Sequence, residues 1–224
     1  MHDKKIAMLF VVSTPIGNLE DITLRALRTL QESDLIVCED TRETSKLLHK
    51  YEISKPLLSF HAQSKVQKVD EIIRQLKEGK KVSLVTDAGT PGISDPGYLL
   101  IEQAVANHIE VVPIPGPSAF LTALQASGLP INEFLYIGFL PHKKGRETLL
   151  KMIAQEERTV VFYESPYRIL KALEQLKNLC PDKKIVVGRE LTKKFEEFFR
   201  GTVSQALTHF SSKKILGEFV VIVH

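Results

Sequence analysis

Short apolar runs of strand length alternate, through the first half of this chain, with stretches whose apolar residues recur every three to four positions. The runs cover residues 6–12, 35–38, 57–60, 82–86 and 109–112. Between them, Ile22, Ala26, Leu27 and Leu30, and later Val66, Val69, Ile72, Ile73 and Leu76, mark single faces of helices. Further helices are expected around residues 41–50, 96–107 and 117–126. A helical crossover returns the chain to the same end of a sheet, so such strands run parallel. The first half reads as one open α/β sheet.

Ser127, Gly128, Pro130 and Asn132 then interrupt the pattern with turn residues. The charge changes at the same place: residues 1–126 carry 14 basic and 16 acidic groups, whereas residues 127–224 carry 16 and 11, net −2 against +5. We therefore expect two α/β domains, 1–126 and 127–224, the second with some affinity for a polyanion. In that half strands are expected at 134–139, 159–163, 184–187, 198–203 and 218–223, with helices at 146–155 and 166–179. The last strands lack long helices between them, which predicts antiparallel pairing and a mixed sheet.

Several classes are set aside by composition. With 43% hydrophobic and 25% charged residues among 224, the chain is an ordinary globular protein with no need of staples. Its two cysteines, Cys38 and Cys180, have neither a second Cys nor paired His nearby, so no metal site or disulfide framework can be drawn. A reducing cytoplasm is the expected compartment. The apolar run 6–12 is far shorter than a membrane span, and Ser13-Thr14-Pro15 after it offers no signal-peptide cleavage site.

Chemistry-bearing residues gather where strands end. Residues 85–97 run from a strand through Asp87, Gly89, Thr90, Pro91, Gly92, Ile93 and Ser94 to Asp95 and Pro96, which suit a helix start. Glycine allows close backbone approach, and the carboxyl end of a parallel strand is where α/β sheets hold ligands. A second loop, Pro113 to Ala119, is also rich in Gly and Pro and opens a helix. A third, from Ser13 and Pro15 to Asp21, follows the first strand, but neither a dinucleotide fingerprint nor a P-loop is present. Cys38 to Thr44 brings Glu39, Asp40 and Arg42 to a strand end; Arg42 could fork onto phosphate, or Asp40 and Glu43 could form a capping box with Arg42 paired locally. In the second half, Tyr163 to Arg168 enters a helix and Arg189 to Glu197 is densely charged.

Taken together, the blocks at residues 13–23, 38–44, 86–98, 115–119, 164–168 and 189–196 resemble the tetrapyrrole methylase superfamily, and within it the small-subunit rRNA methyltransferases. The resemblance implies two α/β domains with S-adenosylmethionine in the cleft between them, a homodimer, and 2'-O-methylation of a cytidine in the decoding region of 16S rRNA. By position it assigns cofactor contacts to Pro15, Asp87, Gly89, Thr90, Gly92, Ile93, Ser94, Ser118, Ala119, Phe162, Tyr163 and Leu191. A ribose hydroxyl is a weak acid, so a base should help, and Glu39, Asp40, His61 and Glu164 are candidates. Arg42, Lys143, Lys144 and Arg168 are the expected phosphate contacts. After His61 the chain has Ala62-Gln63-Ser64-Lys65 where relatives often carry further His, Asn and Glu, and Tyr167 stands where His is frequent. Two other readings remain: a tetrapyrrole C-methyltransferase of the same fold, and a non-catalytic RNA-binding module.

Overall fold

The computed structural model describes residues 7–61 and 66–224; the segment 62–65, singled out above, lies outside them. The chain forms two compact units, Met1–Ser118 and Ala119–His224.

In the first unit the strands are β1 (Met8–Val12), β2 (Leu35–Cys38), β3 (Leu57–Ser59), β4 (Lys81–Leu84) and β5 (Glu110–Ile114), and the helices α1 (Leu24–Glu32), α2 (Thr41–Lys50), α3 (Val66–Lys77) and α4 (Gly97–Ala106). The strands lie in the order β3-β2-β4-β1-β5, and all are parallel. Alternating side chains feed two cores: Leu9, Val37 and Leu84 pack with Ile72, Leu76 and Leu100 on one face, while Val12, Ile36 and Cys38 pack with Leu30, Leu47 and Leu48 on the other. From β1 the chain passes over β4 to reach β2 through α1, and from β4 it passes over β1 to reach β5 through α4. These crossovers leave adjacent strands in opposite directions and on opposite faces, which opens a crevice beyond the carboxyl ends of β1 and β4.

The second unit contains α5 (Ala119–Gln125), β6 (Phe134–Phe139), α6 (Arg146–Gln155), β7 (Thr159–Glu164), α7 (Ile169–Leu179), β8 (Lys184–Arg189), β9 (Glu197–Thr202), α8 (Val203–Ser211) and β10 (Phe219–Val223). Its sheet runs β6-β7-β10-β8-β9. β6 is parallel to β7, and β10 is antiparallel to both β7 and β8, so the sheet is mixed as expected. Beneath it Phe162, Leu173, Leu176, Phe210, Phe219 and Val221 form the core.

Two expectations need correction. The division between units falls ahead of α5, whereas the turn residues 127–132 suggested a boundary after it. α5 packs on β7 and β10, Phe120 stacks on Tyr136 with ring centroids 4.4 Å apart, and Arg200 donates to the Ser127 carbonyl at 3.3 Å, so the turn lies inside the second unit. A helix, α8, also separates the last two strands. Its start carries a reciprocal cap: the Thr202 hydroxyl accepts from the Gln205 amide at 3.3 Å, and the Gln205 side chain accepts from the Thr202 amide at 2.9 Å.

Candidate functional site

Three loops of the first unit are laced together at the carboxyl edge of its sheet. The Thr14 amide donates to the Gly89 carbonyl at 2.8 Å and the Gly89 amide to the Thr14 carbonyl at 3.1 Å, an antiparallel bridge joining the loops after β1 and β4. The Thr14 hydroxyl donates to the Thr86 carbonyl at 3.0 Å. Ser13 donates to Thr90, which donates to the Pro117 carbonyl at 3.2 Å, so the loop after β5 is tied to the same cradle. Gly89 has φ of +89°, a conformation glycine adopts without cost. At Gly116 a Cβ would lie 2.9 Å from the Ser13 Cβ, so the missing side chain is what lets these loops close. Ser94 sits at φ +65°, strain of the kind that concentrates at ligand sites. Asp95 holds the loop's far end, accepting from Gly92 at 2.9 Å and Gly97 at 2.7 Å. It does the work expected of an N-cap, although the cap position itself is Pro96.

Carboxylates crowd this edge. Burial pushes Glu39 above the usual range, Asp87 and Asp95 add to the shift, and a hydrogen bond from the Thr86 hydroxyl at 3.3 Å offsets part of it. Asp87 is raised too, by partial burial first and then by Asp40 and Glu43, against the amide of Asp40 that donates to its Oδ1 at 2.9 Å. Asp40 behaves differently: the side chain of Arg42 forks onto it and the Arg42 amide caps onto Oδ1 at 2.8 Å, which holds its carboxyl at about 2. Of the two readings left open for this block, local pairing and capping describe the geometry, except that Glu43 bonds Lys46 at 2.6 Å instead of completing a capping box. The Arg42 side chain is nonetheless 85% exposed. His61, just beyond β3, is exposed on the same edge and opposes the upward shift of Glu39. Pro15 and Ser118 are buried in the cradle, and Ile93 and Ser94 face solvent from it.

In the second unit the expected residues separate. Phe162 is fully buried in the core, which leaves only its backbone to offer a ligand. Tyr163 accepts from the Phe120 amide at 3.2 Å, and burial raises its hydroxyl well above the usual value. Ala119 starts α5, and Leu191 packs back onto Gly188. Glu164, considered as a base, is 1% exposed: Arg146 Nη1 reaches one carboxylate oxygen at 3.2 Å, while Arg168 Nη2 at 2.7 Å and the Ser165 amide at 2.8 Å share the other. Both of its oxygens are engaged, and so is Arg168, which also donates to the Leu140 carbonyl at 2.9 Å instead of pointing at solvent. Arg146 was not singled out by sequence reading; an arginine opening an amphipathic helix gives no sign that it will be buried. Lys143 and Lys144 are exposed, as a phosphate contact requires.

The model of the tetrapyrrole (corrin/porphyrin) methylases matches residues 8–207. A ribosomal RNA small subunit methyltransferase I from Thermotoga maritima is 52% identical over 96% of both chains. The chain belongs to the tetrapyrrole methylase family, in its small-subunit rRNA methyltransferase I group. Another member of that group, from Bacillus subtilis, is 45% identical over 97% of this chain and 75% of its own. Among solved structures, this methylase fold is shared by a cobalt precorrin-4 methyltransferase, with TM-score 0.73 and 19% identity over 97% of this chain and 94% of the other. A uroporphyrin-III C-methyltransferase from Thermus thermophilus gives 0.67 at 17% identity over 96% and 94%. At such identities the likeness concerns the fold.

Proposed function

We propose that this chain transfers a methyl group from S-adenosylmethionine to the ribose 2'-hydroxyl of a cytidine in the decoding region of small-subunit rRNA, as a cytoplasmic homodimer. What carries the reading is its full-length similarity to small-subunit rRNA methyltransferases, joined to a crevice of the right chemistry at the β1–β4 switch point.

The first unit's edge fits the cofactor on two counts. Burial holds Glu39 and Asp87 above the usual carboxylate range, with Asp87 and Asp95 adding to the shift at Glu39 and Asp40 and Glu43 to that at Asp87, a field that a ligand bearing sulfonium and ammonium charges relieves. Gly89 and Gly92, at positive φ, and Gly116, seated against Ser13, let the three loops close into a cradle whose backbone can hold a ligand. Pro15, Asp87, Gly89, Thr90, Gly92, Ile93, Ser94 and Ser118 are the residues that would hold it. When bound, S-adenosylmethionine supplies an electrophilic methyl group on a sulfonium.

The protein's contribution is alignment and one proton. A cradle stitched by the Thr14–Gly89 bridge and the Ser13–Thr90–Pro117 chain fixes the geometry for in-line displacement, where positioning can supply most of the rate. Glu39 is our choice of base: its elevated proton affinity brings it nearer the working range, and the Thr86 hydroxyl orients it. Asp40, at about 2, binds a proton too weakly for the task.

The test is transfer of labelled methyl groups to unmodified 30S subunits, with naked rRNA and a porphyrinogen as parallel acceptors. Label on a subunit ribose is the expected result. Label on the porphyrinogen alone would replace the substrate with a tetrapyrrole.

A further inference from the structure

β10 runs antiparallel to both of its neighbours, so β7 and β8 point the same way, and β6 is parallel to β7. The loops leaving β6, β7 and β8 therefore emerge at one edge of the second unit's sheet, roughly 14 Å from first to last at ordinary strand spacing. They bring out Lys143 and Lys144 after β6, Tyr167 after β7, and Lys194 and Phe195 after β8, all exposed. Tyr167 is 95% exposed and Phe195 68%. The Lys194 ammonium sits 5.6 Å from the Phe195 ring centroid.

These loops are held from beneath. Arg146 and Arg168 meet on buried Glu164 and donate to the Pro141 and Leu140 carbonyls, which fixes the base of the lysine loop. Lys193 bridges Glu190 at 3.0 Å and Glu218 at 2.8 Å under the hairpin that carries Phe195, and Glu196 accepts from the Thr192 amide. The acids closest to the edge are thus engaged, while Lys143, Lys144 and Lys194 make no ion pair among the described residues. The unit as a whole carries 16 basic and 11 acidic groups.

We infer that this edge is a platform for an unpaired stretch of RNA, with bases stacking on Tyr167 and Phe195 and phosphates running past Lys143, Lys144 and Lys194. Aromatic rings reach bases only where these are unstacked; a duplex would use the lysines and leave the rings idle. Arg146, Arg168 and Glu164 become positioning residues. The inference rests on the proposed rRNA substrate and says in which form it is gripped.

Fluorescence anisotropy of the full chain with a fluorescein-labelled oligocytidylate, and with an RNA duplex of equal length, tests it. The single strand is expected to bind more tightly. Tyr167→Ala and Phe195→Ala each weaken it about five- to hundredfold, and the Lys143→Gln/Lys144→Gln pair lowers the slope of log K against log salt by about 1.4. Melting temperature and S-adenosylmethionine affinity stay at wild-type values, because all four residues are exposed loop positions. Equal affinity for duplex and single strand, or indifference to both aromatic substitutions, overturns the platform. Transfer to 30S subunits separates the two claims: subunit methylation indifferent to both rings sinks the platform alone, whereas ring-dependent binding without any transfer by the wild type sinks the function alone.

Discussion

Glu39 and Asp87 are held above the usual carboxylate range in the folded chain, so their charged forms work against folding. The sign follows by linkage: stability is full below the ordinary carboxylate values and declines as pH rises through the elevated ones. Glu39→Gln should therefore raise the melting temperature by roughly 2 °C at neutral pH and leave it unchanged near pH 3, as calorimetry at both pH values would show. The same variant should lower kcat about 100-fold and flatten the acid limb of the pH–rate profile, while the loss of one carboxylate from the field around the cofactor weakens its binding by a smaller factor. Gly116→Ala forces a Cβ to within 2.9 Å of the Ser13 Cβ, and titration calorimetry should show at least a tenfold loss of S-adenosylmethionine binding. Strand-end loops rich in Gly and Pro were legible in the sequence because each glycine marks a backbone demand. The fate of Glu164 was only half legible: Arg168 stands four residues on, across the turn into α7, but its other partner, Arg146, opens α6 and is reached only through the tertiary fold.

Elements of the first unit could be read to within about two residues at their ends, since buried parallel strands and amphipathic helices have different periods. Helix α8 escaped because the apolar segment ending at Val203 reads as strand, and the helix begins where that strand stops. Its one local signal was Thr202 with Gln205, a capping pair whose geometry the structure realises. Thr202→Ala should cost about 1 kcal/mol, read as a shift in the denaturation midpoint with an unchanged m-value. Glu164→Leu is a harsher test at this scale, because it leaves two guanidiniums beside an apolar site; a loss of about 3–5 kcal/mol is expected by the same titration. Gly138, at φ +66°, marks a bulge where the β6–β7 register shifts between Tyr136 and Phe139. Ahead of it the ladder pairs Tyr136 with Val161, and beyond it Phe139 with Tyr163, whose ring centroid is 5.3 Å away.

For the whole molecule, the two units have separate cores, each complete within its own stretch of chain. Hydrogen exchange should resolve two cooperative blocks. Val221→Asp, which puts a charge in the middle of β10, should abolish protection in residues 119–224 while β1, β2 and β4 stay protected. The charge asymmetry was visible in the sequence, but the allocation of α5 was not, because its partners β7 and β10 lie far along the chain. That same distance has a consequence for biosynthesis. β10, the last strand in chain order, lies between β7 and β8, so the β6–β7 and β8–β9 pairs cannot be joined into one sheet before it arrives. On a translating ribosome the first unit can fold once β5 has emerged, whereas the second must wait as an open, adhesive half-sheet until β10 has emerged. Its exposure to chaperones is thus set by how fast the codons from β6 to β10 are decoded.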